Sequence, residues 1–137
     1  MGLRMLLVED GKILCEVPLS PKDWLKEDLE REYESLEEDL REISRVFEVF
    51  TNVSRVRMMR SLMEDEDFML SFKDFMEELD MNPKSVREHA ARLFEAGFLE
   101  RPSRGKYRLS ELGRLGFMMG GLAMKRMLRA LEDEWLG

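Results

Sequence analysis

Lys84, Ser85, Arg87, Glu88 and Arg92 fall at offsets that place them on one face of a helix. Arg101, Arg104, Lys106 and Arg108 follow within eight residues. Guanidinium and ammonium groups in such clusters donate hydrogen bonds to anionic or acceptor-rich surfaces. A guanidinium fork matches the O6 and N7 of a guanine or the oxygens of a phosphate, while an ammonium acts as a point charge. On a helix lying in a major groove, Lys84 and Arg87 would donate to guanine O6 and N7. Ser85 would reach a base edge or a phosphate, and Arg92, a turn further on, a phosphate. The second cluster suits a hairpin that straddles phosphates or inserts one arginine into a minor groove. Arg55 and Arg57, at the start of an earlier helix, could add phosphate contacts. Any one of these stripes alone is what a solvated face carries; the two together favour binding.

The elements needed to hold these residues can be read from local signals. Asn82 as cap and Pro83 at the first helical position open a helix. Its inward face is Val86, Ala90, Leu93 and Phe94, and Gly97 ends it where a left-handed residue is commonly needed. The recognition helix thus covers about 82–96. Phe98 to Arg101 and Lys106 to Leu109 read as strands of a basic wing, 99–108, joined by Pro102-Ser103-Arg104-Gly105. Alternation puts Lys106 and Arg108 on one face and Tyr107 on the other. Upstream lie a helix from Arg55 to about Glu64 with Ser54 as its cap, an acidic turn, a strand at Phe68–Ser71 and a helix to Leu79. Helix, strand, helix, turn, helix and hairpin is the element order of a winged helix-turn-helix.

The flanks are different. Two apolar runs, Arg4–Val8 and Lys12–Val17, surround Asp10-Gly11, a hairpin signal. Ser20 and Pro21 then open a helix expected to reach Phe50. Leu29, Tyr33, Leu36, Leu40, Ile43, Phe47 and Phe50 form a heptad seam along it, among acidic residues. After the wing, Ser110 caps a helix expected to run to about Trp135. Leu112, Leu115, Met119, Leu122, Met127, Leu131 and Trp135 line one side of it, and Gly113, Gly116, Gly120 and Gly121 imply close approach to another helix. The expected segments are 1–50, a hairpin and acidic helix for dimerisation or partner contact; 51–109, the winged helix-turn-helix; and 110–137, a C-terminal dimerisation helix.

Charge supports this division. The formal net charge is -7, unsuited to a general nucleic-acid coat. By region, residues 1–50 hold 7 basic and 14 acidic groups, whereas 81–109 hold 7 basic and 3 acidic. A local basic face on an acidic body is the footprint of a site-specific binder.

Other chemistries find little support. A single cysteine, Cys15, excludes an intramolecular disulfide and a multi-cysteine metal site. The lone His89 is expected to be a packed, hydrogen-bonded helix residue. No phosphate loop, nucleophile signature or ligand-spaced cluster is visible, so neither enzymatic activity nor a cofactor is expected. No leader is apparent, and the most apolar run, Leu115–Met124, is ten residues, against about 20 for a membrane span. A cytoplasmic protein without membrane contact is expected. Twelve methionines suit core and dimer packing, or an adaptable pocket for an unknown hydrophobic effector.

The middle of the chain resembles the ArsR-type winged-helix repressors. Asn52-Val53-Ser54-Arg55-Val56-Arg57-Met58 resembles the family's opening helix. Pro83-Lys84-Ser85-Val86-Arg87-Glu88-His89 resembles its recognition helix, and Leu93-Phe94-Glu95-Ala96-Gly97-Phe98-Leu99 its exit into the wing. The family's metal-sensing cysteines are missing from Phe72–Leu79, so metal sensing is not implied.

The fold class expected is therefore mainly α (α+β). The function expected is a homodimeric, site-specific double-stranded DNA-binding transcriptional regulator. Its two recognition helices would meet half-sites about one helical turn apart. The alternative is a winged-helix protein-interaction module within a transcription or RNA-processing complex.

Overall fold

A computed structural model describes residues 2–136; the side chain of Trp135, expected on the apolar side of the last helix, lies outside the described residues. The chain forms two compact units, one up to Leu40 and one from Arg41 onward.

In the first unit, strands β1 (Arg4–Glu9) and β2 (Lys12–Pro18) pair antiparallel. Asp10 and Gly11 have φ of 48° and 81°, the two left-handed residues that a tight hairpin turn requires. The register slips by one residue after Leu7, leaving Leu14 as a bulge. One turn of 3-10 helix, Pro21–Asp23, follows; Ser20 accepts from the Lys22 amide at 3.3 Å. Helix α1 then covers Lys26–Glu38.

The single helix expected from Pro21 to Phe50 does not form. Trp24 is extended (φ -110°, ψ 148°), and its indole N–H donates to the Pro18 carbonyl at 2.9 Å. Leu25 is extended too, so α1 starts afresh at Lys26. Helical bonding lapses again at Asp39 (φ -94°, ψ 7°), before α2 (Leu40–Val49). Glu37, Glu38 and Asp39 put three carboxylates at the negative end of α1, where they oppose the helix dipole. The heptad seam is thereby divided between the units, and the expected segment 1–50 divides at residue 40.

The second unit is a winged helix. Helix α3 (Val53–Glu64) is followed by β3 (Met69–Ser71), α4 (Phe72–Glu78), α5 (Pro83–Glu95), β4 (Leu99–Glu100) and β5 (Lys106–Leu109). The three strands form one antiparallel sheet in the order β3-β5-β4. Asn52, not Ser54, caps α3; its side-chain oxygen accepts from the amides of Ser54 and Arg55. Ser71 and Asp74 form a reciprocal capping box on α4. Hydrogen bonds from the Ser71 amide and hydroxyl hold the Asp74 carboxyl below its ordinary range. Asn82 caps α5, and Gly97 at φ 78° turns the chain out of it, both as expected.

The core is formed by Met58, Met59 and Leu62 of α3, Phe75 of α4, Val86, Ala90 and Leu93 of α5, and Phe98, Leu99, Tyr107 and Leu109 of the wing region. Val49 at the end of α2 is fully buried with them. This burial is why α2 belongs to the second unit: its last turn is part of the winged-helix core.

The C-terminal rod runs through α6 (Glu111–Phe117), a wide π-type stretch (Met118–Ala123), α7 (Met124–Leu131) and a second π-type stretch (Glu132–Leu136). The Ser110 hydroxyl donates to the Gly97 carbonyl at 2.6 Å and accepts from the Gly113 amide at 2.9 Å, tying the rod to the exit of α5. The glycines here face aromatic rings and a carbonyl rather than another helix. A Cβ on Gly113 would lie 2.3 Å from the Phe98 carbonyl oxygen, one on Gly116 2.5 Å from the Phe98 ring, and one on Gly120 2.5 Å from the Phe50 ring. The opposite side of the rod, with Leu112, Leu115, Met119 and Leu122, is exposed.

Candidate nucleic-acid interface

Helix α5 presents Lys84, Arg87, Glu88, Ala91, Arg92 and Glu95 outward, because the buried Val86, Ala90 and Leu93 take the other side. Its two halves differ. In the first half, Asn82 accepts from the Ser85 amide at 2.8 Å and so satisfies an end amide of the helix. Lys84 extends into solvent and meets only Glu88, its neighbour one turn on, at 3.9 Å. Arg87 lies over the Phe72 ring, 5.5 Å from its centre, and its guanidinium stays exposed. Cation–π contact of this kind restrains a long side chain without neutralising it.

The second half is charge-compensated. Arg92 stands between Glu95 of α5 (3.4 Å) and Glu48 of α2 (3.9 Å). An incoming phosphate would have to displace these carboxylates. The cationic part of the α5 surface is therefore its N-terminal half.

The wing shows a similar division. Tyr107 is buried between the Phe75 and Phe94 rings, both at 5.9 Å, as strand alternation requires. Arg101 folds back over Phe94 (5.0 Å) and Tyr107 (5.6 Å). Arg108 pairs with Glu100 across the hairpin at 3.0 Å. Arg104 and Lys106 at the tip are exposed, and no ion pair involves either among the described residues. Gly105, at φ 73°, makes the turn between them.

Arg55 does not join the surface cations, contrary to the sequence expectation. It is 8% exposed, and its guanidinium points inward. One terminal nitrogen donates to the Glu48 carbonyl (2.7 Å) and the Thr51 hydroxyl (3.1 Å); the other lies 3.2 Å from Nδ1 of His89. Arg55 thus caps the C-terminal end of α2, where a cation is favourable, and joins α2 and α3 to α5. Its Nε is buried without a partner. Arg57, one turn face away, is exposed. The signal that could have marked Arg55 is Thr51 one turn before it, next to the end of the preceding helix.

Facing a permanently charged donor, His89 Nδ1 acts as acceptor, so the ring is the neutral tautomer protonated on Nε2. Burial lowers its pKa from the ordinary 6.5, and the neighbouring Arg55 charge lowers it further; Glu88 opposes both. Arg55, Glu88, His89, Arg92 and Glu95 border a shallow polar recess on this side of α5. The expectation that His89 is packed and hydrogen-bonded is met.

Among the described residues no helix is long and apolar enough to cross a membrane. The fold is found among known regulators. The chain superposes on Sco5413, a MarR family transcriptional regulator from Streptomyces coelicolor, with a TM-score of 0.52 and 20% identity over 66% of each chain. The match thus spans just under two thirds of that regulator. The transcriptional repressor BigR from Xylella fastidiosa aligns with a TM-score of 0.46 and 17% identity, over 75% of this chain and 95% of that one. No protein-family model matches the sequence, and no curated protein does. At this identity the likeness establishes the winged-helix fold of the chain. It does not favour the ArsR type over other winged-helix regulators.

Proposed function

We propose that the protein is a site-specific double-stranded DNA-binding transcriptional regulator that acts as a homodimer. The observation that carries this reading is the pairing of two exposed cationic surfaces. The N-terminal half of α5 offers Lys84, Ser85 and Arg87, and the wing tip offers Arg104 and Lys106. In a winged helix, the third helix enters a major groove and the wing follows the neighbouring backbone or minor groove. The ArsR-type motifs at Pro83–His89 and Leu93–Leu99 support the same use of these elements. Arg92, Arg101 and Arg108 would contribute on the flanks after exchanging their present partners. Phosphate contacts would supply affinity and α5 the sequence choice.

The homodimer is supported by the exposed apolar side of the C-terminal rod, where Leu115, Met118, Met119 and Leu122 line a groove of about 480 Å³. An apolar stripe on a surface helix calls for a partner along its length.

The test is binding to a fluorescent duplex from the gene's own upstream region, against a scrambled duplex, over a range of salt. Tight, selective binding with a salt slope of several released ions supports the regulator. No binding at low salt would assign α5 and the wing to protein contact. That second reading draws on the carboxylates of Glu48, Glu88 and Glu95 beside α5, which repel phosphate.

A further inference from the structure

Helix α5 carries a carboxylate in the middle of its cationic surface. Lys84, Glu88, Ala91 and Glu95 follow one another at spacings of 4, 3 and 4 and run along its exposed side, opposite the buried Val86, Ala90 and Leu93. Neighbouring elements hold the flanks. Arg87 lies on Phe72 of α4, 5.5 Å from the ring centre. On the other flank Arg92 meets Glu48 of α2 at 3.9 Å, and His89 meets Arg55 of α3 at 3.2 Å. The central line is thus the part of α5 that would face the floor of a major groove, with the flanks towards its walls. Along that line Glu95 is paired with Arg92 at 3.4 Å. Glu88 accepts no hydrogen bond among the described residues: its ion pair with Lys84 is 3.9 Å long, beyond hydrogen-bond length. Ala91, the next residue on the line, is exposed and presents only a methyl beside it.

We propose that Glu88 is a specificity-determining residue that accepts a hydrogen bond from the N4 amino group of a cytosine in the major groove. The proposal rests on the DNA-binding reading above and deepens it at the same site. A carboxylate brought against duplex DNA is repelled by the phosphates at every sequence, and only a donor on a base edge replaces the water it loses. Guanine shows N7 and O6 in the major groove and thymine shows O4 and a methyl, so neither offers a donor. Adenine has an amino group at N6, but the N7 acceptor beside it repels a carboxylate. Cytosine shows its amino group alone. Lys84, one turn earlier on the same line, makes the opposite choice and favours the acceptors of guanine. Glu88 therefore acts mainly by rejection: every base other than cytosine leaves its carboxylate desolvated and without a full partner.

The test uses the full-length chain as wild type, Glu88→Ala and Glu88→Gln. Each protein selects duplexes from a randomised pool and is then titrated against the selected duplex and its single-base variants. Glu88 is exposed, so both variants should fold, which a thermal melt checks. In the wild type one position of the half-site should be cytosine, and any other base there should weaken binding at least ~5-fold. Glu88→Ala should lose the preference at that position alone and bind a scrambled duplex more tightly than the wild type does. Glu88→Gln should choose adenine there, because a carboxamide pairs with N6 and N7 together. Unchanged preferences in both variants, or a change at a position where the wild type selects a base other than cytosine, overturn the assignment and leave the regulator standing. Relaxation spread over every position also overturns it, since that marks a residue that only positions α5. A wild type that selects no sequence removes the DNA reading and this assignment together.

Discussion

The two units spend similar residues in opposite ways. From Arg41 onward, apolar side chains of five helices and three strands converge on one core, and Phe75, Phe98, Met58, Met59, Leu62, Leu93 and Leu109 are fully buried. Up to Leu40, leucine, valine and isoleucine are as plentiful, yet none is fully covered. A hairpin and one amphipathic helix offer too few layers to enclose a core. The winged helix is therefore held by its own packing, whereas the N-terminal unit encloses no core. Apolar sequence marks both, but only burial turns it into stability.

The sharpest way to break this contrast is truncation at matched sites. Phe98→Ala removes a ring packed by Phe50 and Gly116 and should cost about 3–5 kcal/mol in denaturant unfolding. Leu7→Ala, measured in dilute protein, should change stability by less than ~0.5 kcal/mol, as for a surface site. Equal costs would mean that the hairpin is part of a single-chain core.

Within the second unit, the rod glycines provide a test of sign. Gly113→Ala would drive a methyl to 2.3 Å from the Phe98 carbonyl, so a loss of about 1–3 kcal/mol is expected despite alanine's better helix propensity. Gly121→Ala meets Phe50 at an ordinary 3.7 Å and should stabilise by up to ~1 kcal/mol. Thermal melts of the two variants should shift in opposite directions.

Function sharpens the comparison further. Lys84→Ala and Arg87→Ala should each cost about 1–3 kcal/mol of specific duplex binding, with a smaller loss on scrambled DNA. Arg55→Ala should instead appear first in unfolding, because its contacts run to Glu48, Thr51 and His89. Competition titrations against both duplexes, paired with melts, separate the two classes; equal losses on both duplexes for Lys84 and Arg87 would remove α5 as the reader of sequence.

The smallest effect is a pH dependence. The folded pKa of His89 lies below the 6.5 of the unfolded chain, so the unfolded state binds the proton first. Its contribution to stability is present above about 6.5 and is lost as pH falls towards the folded value. The melting temperature should decline over that window in the wild type, and His89→Gln should remove that component. Asp74, whose pKa lies below 3.8, acts only in the more acidic range.

Much of the winged helix was legible because local chemistry and global fold agree there. Asn82-Pro83, Gly97, Ser71 and Ser110 each act at the helix end where their backbone preferences place them. The candidate site was legible as a set of positions and not as a set of available charges. Nothing in the local spacing shows that Glu48 stands beside Arg92, that Arg101 lies on Phe94, or that Arg55 turns inward. Those partners come from other elements, or from across the hairpin in the case of Glu100 and Arg108. The long helix failed for the opposite reason: the heptad period continues through Asp39, but periodicity records which side is apolar and not whether the backbone is continuous.

By itself the sequence determined the element order of the winged helix, the caps at Asn82 and Ser110, the tight turn at Asp10-Gly11 and the concentration of positive charge in α5 and the wing. These depend on residues within a few positions of one another. Only the tertiary structure decided which cations remain uncompensated, why the rod carries glycines, where α2 belongs and how little of the N-terminal unit is covered. Each of those depends on distances between residues far apart in the chain, and such distances exist only once the backbone has folded.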